Sequence, residues 1–322
     1  MLVTHIPYPI PMSVELRELR TFIHIARVGS FSRAAAELFI AQPALSRQIK
    51  KLEDDLGTAL LIRHGRGVRL TTAGAALLER AEIITHYVEQ TEKQIRANTL
   101  NEVPQLAIGV PPALGLLIAP SVIAGYQKTF PDAKISVREG VSSSLQEWLM
   151  DHRVDFVLVH NQIPLEGVHI RPLFSESMML VGPYGDQSTY TIKDLARLPL
   201  ILPAPPHSNR RLIDITASQI GIAPKVVLEI DSVPITKELI HQGAGYTILA
   251  YSAVHDDLRK GRLSAHPLKR PQIRSVVSTM VRKEHKTAQH LQSLHETVVT
   301  TLHTLLNTPD WRGETQWLHS DS

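Results

Sequence analysis

The most directed chemistry in the chain lies between residues 42 and 50. Gln42, Pro43, Ser46, Arg47 and Lys50 fall on one side of a helical repeat, opposite Leu45, Ile49, Leu52 and Leu56. An amide, a hydroxyl and two cations at that spacing are the side chains that read base edges and hold phosphates. Ser32 and Arg33, at the start of the preceding short helix, join them. Further on, Arg63, Arg66 and Arg69 decorate a Gly-rich turn, His64-Gly65-Arg66-Gly67, and Arg on such a turn suits a narrow groove or flanking phosphates. In the second half, candidate contacts gather where a strand ends and a helix begins: Pro112-Ala113, Ser142-Ser143-Ser144, Asn161 and His207-Ser208-Asn209. Free N–H groups at a helix start, with hydroxyls beside them, attract a carboxylate or similar anion. Arg210 and Arg211 lie one step further along and add charge.

Enzyme chemistry finds no such support. There is no Gly-x-Ser-x-Gly elbow, no phosphate loop and no His-Glu-x-x-His helix. The glycines at 65 and 67 do not form a dinucleotide loop, because Leu70 stands where a third Gly belongs. Asp256-Asp257 are neighbours on a helix and point apart. The chain has no Cys, which excludes disulfide frameworks, zinc–thiolate sites and thiol nucleophiles together. No catalytic residue, cofactor or metal is therefore expected.

The elements that must hold these residues follow from periodicity. Leu16, Leu19, Phe22, Ile23 and Ala26 have helical spacing, ended by Gly29. Ser30 caps a second short helix whose small buried face is Ala34, Ala35 and Leu38. After a tight turn, Gln42-Pro43 opens a third helix, with Pro where its missing N–H costs nothing, and Gly57 stops it. Two short helices across such a turn make a helix-turn-helix. Two short strands around the Gly-rich turn add a wing. Thr71 or Thr72 then caps a long helix to about residue 98. Within it Leu77, Ala81, Ile84, Val88, Thr91 and Ile95 alternate steps of four and three, a heptad seam that predicts a dimerisation helix.

From residue 105 the period changes. Strand, helix, strand, helix, strand over 105–159 predicts a parallel sheet with helices on both faces. Strands near 169–174 and 177–182 follow, and a second α/β unit begins near Thr191. Residues 274–281 predict a return strand and 286–306 a closing amphipathic helix. The charge-free stretch 106–126 is broken by Pro111-Pro112, Gly115 and Pro120, so it predicts a buried strand and helix rather than a membrane span.

Charge placement agrees with an anionic partner for the first third. Residues 1–100 carry 13 Lys and Arg against 10 Asp and Glu, whereas residues 101–322 carry 21 of each. Met1–Pro11 lacks the basic start of a signal peptide and is interrupted by Pro7, Pro9 and Pro11; a short disordered leader on a cytoplasmic protein is expected, with Met12 an alternative start.

The run Ser30-Phe31-Ser32-Arg33-Ala34-Ala35-Ala36-Glu37-Leu38, then Gln42-Pro43-Ala44-Leu45-Ser46-Arg47-Gln48-Ile49, Leu52-Glu53 and Leu56-Gly57, resembles the DNA-binding signature of LysR-type transcriptional regulators. The wing Arg66-Gly67-Val68-Arg69-Leu70-Thr71, with Ala73-Gly74 after it, does so too. The segment from Ile108 to Gly115, with Glu139-Gly140 and Glu147-Trp148-Leu149, resembles the nitrogen-assimilation-control branch. The likeness covers roughly residues 14–306. It implies an α/β chain with an N-terminal all-α winged helix-turn-helix, a long linker helix and a two-lobed effector domain like periplasmic binding proteins. It also implies dimers of dimers, that is homotetramers, and effector contacts at Pro112, Ala113, Ser142, Ser143 and Ser144.

The expected boundaries are a leader at 1–13, the winged helix-turn-helix at 14–72, the linker helix at 73–98 and a hinge at 99–104. The effector domain follows at 105–306, with a flexible tail at 307–322. The expected function is a sequence-specific regulator of double-stranded promoter DNA tuned by a small anionic effector, with RNA polymerase as a further partner if it activates. Some members of the resembled branch act without an effector, so regulation by abundance or by a protein partner is the alternative. A ligand-binding protein or an enzyme is the alternative of another class.

Overall fold

The computed structural model describes residues 14–65, 67–100, 105–268 and 271–318, with the backbone only at 90 and 93–100. The leader, Arg66, the side chain of Ile95 and residues 101–104 of the expected hinge lie outside what is described. The chain forms two compact units, 1–100 and 101–322.

In the first unit, α1 (Leu16–Val28) ends at Gly29, whose φ of 69° is the left-handed cap that glycine adopts without strain. Ser30 caps α2 (Phe31–Glu37), and α3 (Gln42–Leu56) starts with Pro43 in its first turn. Phe22, Ile25, Phe31, Ala34, Leu45, Ile49 and Leu52 close one core between the three helices. Strands β1 (Leu61–His64) and β2 (Gly67–Leu70) pair antiparallel as the wing. A Cβ at Gly67 would overlap the Gly29 carbonyl oxygen, so the wing lies directly on the end of α1. Glu53 fixes the wing's base, its carboxylate accepting from the N–H groups of Leu60 and Leu61 at 2.8 and 3.1 Å.

Helix α4 (Thr72–Leu100) follows, with Thr71 Oγ1 accepting from Gly74 N–H. Its first turns depart from the expected seam. Leu77 and Ala81 pack on Leu19 and Ile23 of α1 within the same chain, and Ala81 is fully buried there. They belong to the intrachain core because α1 offers an apolar stripe that has no other cover. The exposed seam begins one turn later, at Ile84.

The second unit is built on strands β3 (Gln105–Val110), β4 (Lys134–Glu139) and β5 (Phe156–His160), which run parallel with β3 in the middle. Helices α5 (Pro112–Thr129) and α6 (Ser142–Met150) connect them. These three strands form the expected parallel sheet, and strands from later in the chain extend it antiparallel into a mixed one. Strand β6 (Val168–Pro183) is a single strand rather than two, and crosses from the first lobe into the second. Residues 173–182 are buried without a break, and the polar Ser175, Glu176 and Ser177 in their middle are satisfied by Arg274 and Ser252, so they do not end the strand.

The second lobe holds β7 (Leu200–Leu202), α7 (Ser208–Ser218), β8 (Val226–Glu229), α8 (Val233–His241), β9 (Thr247–Ala250), α9 (Tyr251–Arg259) and β10 (Leu263–Pro267). β9 and β10 both pair with β6 antiparallel. The chain then returns through β11 (Arg274–Arg282), antiparallel to both β5 and β6, and α10 (Gln289–Leu306) packs over the first-lobe core with α5.

The expected flexible tail is also corrected. Residues 309–311 form a short turn that buries Trp311, and β12 (Thr315–Trp317) pairs with β6 at Phe174–Glu176. Burying a large aromatic side chain and closing a sheet edge outweigh the entropy of ordering those residues. Residues 319–322 lie outside the described set. Among the described residues no helix is long and apolar enough to cross a membrane.

Candidate nucleic-acid interface and effector cleft

The exposed side of α3 carries what the spacing predicted. Gln42, Pro43, Arg47 and Lys50 are exposed and Ser46 is half-buried, all opposite the buried Leu45, Ile49 and Leu52. Ser32 Oγ donates to Gln42 Oε1 at 3.1 Å, which ties the start of α2 to the start of α3. Lys50 pairs with Asp54 at 2.7 Å, and that carboxylate holds its ammonium above the ordinary lysine value. Arg47 makes no hydrogen bond to another described residue, so its full donor set faces outward.

Arg63 has a different place from the other expected contacts. Its guanidinium lies 4.2 Å above the Phe31 ring and donates to Ser46 Oγ at 2.7 Å. It therefore braces the wing against α2 and α3 while remaining exposed. Arg33 donates back to the Val28 carbonyl at the end of α1. Arg69 is exposed on β2. The Phe39 side chain in the turn between α2 and α3 is 97% exposed, on a residue with φ of 55°. Nothing in its spacing had singled it out.

In the second unit, β3 and β4 end in register at Val110 and Glu139, and helices begin just beyond them. α6 starts at Ser142, three residues earlier than its apolar pattern suggested, so Ser142, Ser143 and Ser144 form its first turn rather than the loop before it. Ser142 is buried, and its Oγ accepts from the His160 N–H at 2.9 Å. Ser143 and Ser144 are half-buried; Pro112 is exposed and Ala113 half-buried in the first turn of α5.

At α7 the cap is His207, whose Nδ1 accepts from Asn209 N–H at 3.2 Å. Ser208 is buried, and its Oγ has no hydrogen-bond partner. Asn161, at φ of 48°, joins the two lobes. Its Nδ2 donates to Asn209 Oδ1 and to Ser275 Oγ, both at 3.0 Å, and its Oδ1 accepts from Val276 N–H. Arg211 Nη2 donates to the Asn161 carbonyl at 3.0 Å. Arg210, by contrast, is held by Asp214, Glu229 and the Pro203 carbonyl, so its charge is already spent. Asn209 and Arg211 continue the expected His207-Ser208 stretch, but Ser275 was not expected as a site residue. Its spacing gives no signal, because only the fold brings it to Asn161.

These two constructions, a winged helix-turn-helix and a two-lobed α/β unit, are matched by family models. Residues 16–75 match the bacterial regulatory helix-turn-helix protein, lysR family, and residues 101–302 match the LysR substrate binding domain. The chain belongs to the LysR family. It is a LysR-type DNA-binding transcriptional regulator with an effector-binding domain.

It is 30% identical over 307 residues to the transcriptional regulator BbuR of Bordetella bronchiseptica, covering 94% of each chain. It is 31% identical over 242 residues to the nitrogen assimilation regulatory protein Nac of Escherichia coli, covering 74% of this chain and 79% of that one. AlsR of Bacillus subtilis is also 31% identical, over 246 residues, so identity does not set the nitrogen-assimilation branch apart. The crystal structure of full-length CbnR complexed with its target DNA has a TM-score of 0.67 at 23% identity. It covers 89% of this chain and 100% of that one, a likeness of fold.

Beneath the cleft of this LysR chain lies a buried polar cluster. Ser252 donates to both oxygens of Glu176, from its N–H at 2.8 Å and its Oγ at 3.1 Å. His160 Nδ1 is 3.2 Å from Ser275 Oγ and 3.7 Å from Glu176 Oε1. Burial pushes Glu176 up to about 7 and His160 down to about 4. An acid whose folded value is raised adds stability below its ordinary value near 4.5, and that stability is lost as pH rises through about 7. His160, depressed, works in the opposite sense and loses its contribution as pH falls from about 6.5 towards 4. Glu176→Gln removes only the first dependence. The variant is expected to be more stable than wild type by about 2–3 kcal/mol at pH 8, with the difference fading by pH 5. Thermal melts across that range check it.

Proposed function

We propose that the regulator reads its operator through the exposed face of α3, with the wing on flanking DNA, and pairs two copies through α4 from Ile84 onward. A small organic anion at the cleft between the lobes then tunes promoter binding. The reading takes the first turns of α5, α6 and α7 as the anion's donors, with Ser143, Ser144, His207 and Ser208 nearest and Pro112 and Ala113 shaping the edge. Assembly into a tetramer, residence in the cytoplasm and, for an activator, contact with RNA polymerase belong to the same reading.

The observation that carries the effector is Ser208 Oγ, a buried hydroxyl without a partner at the start of an eleven-residue helix. An unpaired buried polar atom costs about 1–3 kcal/mol, so a ligand that bonds it recovers that cost. Desolvation holds the neighbouring His207 below its ordinary value, hence neutral and able to keep its cap bond. Ser208→Ala is expected to leave ligand-free operator affinity unchanged, since no bond is lost, and to make the ligand-free protein more stable by about 1–3 kcal/mol, since the unpaired hydroxyl is gone. It should weaken the response to the effector about tenfold. Footprints of both proteins, with a panel of small carboxylates, check this. An unaltered response in the variant would remove Ser208 from the site.

A second reading rests on Asn161. Its bonds to Asn209 and Ser275, with Arg211 on its carbonyl, join the lobes through protein groups alone. A regulator latched in this way is controlled by its abundance or by a protein partner. If no compound of the panel changes the wild-type footprint, this reading replaces the first.

A further inference from the structure

A pocket of about 400 Å³ opens on the first lobe between the start of β6 and the outer face of α10. His169, Arg171 and Leu173 line it from β6, His295 and His303 from α10, and Trp317 from the folded C-terminal strand. It is distinct from the cleft described above and shares none of its residues. A smaller hollow beside it shares His169, Arg171 and His295 and adds His285 and Lys286. No acidic side chain is among the described residues that line either one.

The arrangement is cationic on one wall and flat and apolar on the other. Arg171 Nε donates to His169 Nε2 at 3.1 Å, which requires that ring nitrogen to be unprotonated. Among the described residues no carboxylate pairs with Arg171, and its two terminal nitrogens make no hydrogen bond. Burial, then the charges of Arg171, Lys286 and Lys283, hold His169 below its ordinary value, as expected in a field of positive sign. The opposite wall is made by Trp317, stacked on His303 with ring centres 3.9 Å apart and planes 6° apart, and continues onto Leu173 and Val299. A guanidinium fork with no acid to hold is a carboxylate receptor, and a stacked ring pair beside it is a platform for a flat apolar body.

We propose that this pocket binds an organic carboxylate with a flat ring system, its carboxylate on Arg171 and its rings against Trp317. The volume is that of a small-molecule site and exceeds what a single ring fills. The site exists only because the C-terminal segment folds back as a strand, which brings Trp317 to His303.

The test is calorimetric titration of the full chain with 2-naphthoate, and with 2-naphthamide as its neutral counterpart. The naphthoate should bind, and the amide at least tenfold more weakly. Arg171→Ala should weaken naphthoate at least tenfold. Val299→Trp, which fills the pocket without removing a charge, should abolish binding and covers the case in which the Arg171 variant does not fold. Ser208→Ala should leave this titration unchanged, which separates the pocket from the cleft. No binding of naphthoate, equal binding of the amide, wild-type binding by the filled variant or by a folded Arg171→Ala, or loss in Ser208→Ala would each overturn the proposal.

Discussion

Replacing Ile84 by Glu is expected to turn the dimer into monomers and to weaken operator binding by about two to four orders of magnitude. The reason lies in how α4 is shared. Its first apolar positions, Leu77 and Ala81, are consumed by α1 of the same chain. Thr85 is buried too, with its hydroxyl bonded to the Ala81 carbonyl at 2.9 Å. One step round the helix, Ile84 is 46% and Tyr87 49% exposed, and Val88 is half-buried. Those are large apolar side chains on a long helix, and a second copy of the same helix would cover them at heptad spacing. A carboxylate at 84 then enters an apolar seam without a partner, and an unpaired buried charge costs more than the seam gains from one residue. Because Ile84 is exposed in the single chain, the head itself should fold with unchanged stability. Sedimentation of the variant gives the oligomeric state and footprinting gives the affinity. A variant that sediments like its parent would place the interface elsewhere.

The second large effect is expected from Arg47→Ala. This side chain stands mid-face on α3, exposed and without a described partner, between Gln42-Pro43 and Lys50. An Arg that reads a base edge contributes about 1–3 kcal/mol of discrimination. A two-fold dimer carries it twice, so specific affinity should fall by about thirtyfold or more. Affinity for unrelated DNA should change little, and the salt dependence should keep its slope. A phosphate contact gives the other outcome, a uniform loss across sequences with a slope smaller by about one. Titrations on operator and on random DNA at two salt concentrations separate the two. Lys50 is the natural contrast, because its ammonium already holds Asp54.

The head was legible in the sequence because each of its devices is local. Gly29 and Gly57 end helices at positive φ, Ser30 caps α2, and Pro43 opens α3. The stripe Leu45, Ile49, Leu52 fixes which face of α3 is buried and therefore which face is presented. Those relations span a few residues, and period alone determines them. The order of strands and helices in the second unit was legible for the same reason.

What the sequence left open depends on contacts between distant residues. A heptad pattern states that an apolar stripe exists and is silent about which chain covers it, so Leu77 and Ala81 turned inward to α1 while Ile84 stayed exposed. Three serines before an apolar helix look like a loop; Ser142 joins the helix because the His160 N–H, eighteen residues on, bonds its hydroxyl. Trp311 and Trp317 follow a polar stretch that reads as a frayed end. They fold because the edge of β6 and the rings of His255 and His303 await them. Asn161, Asn209, Arg211 and Ser275 come from separate parts of the chain and meet only where the two lobes close. Local sequence sets the shape of each element through backbone and side-chain sterics. Which buried surface each apolar or polar group finally meets is decided by the packing of the whole unit.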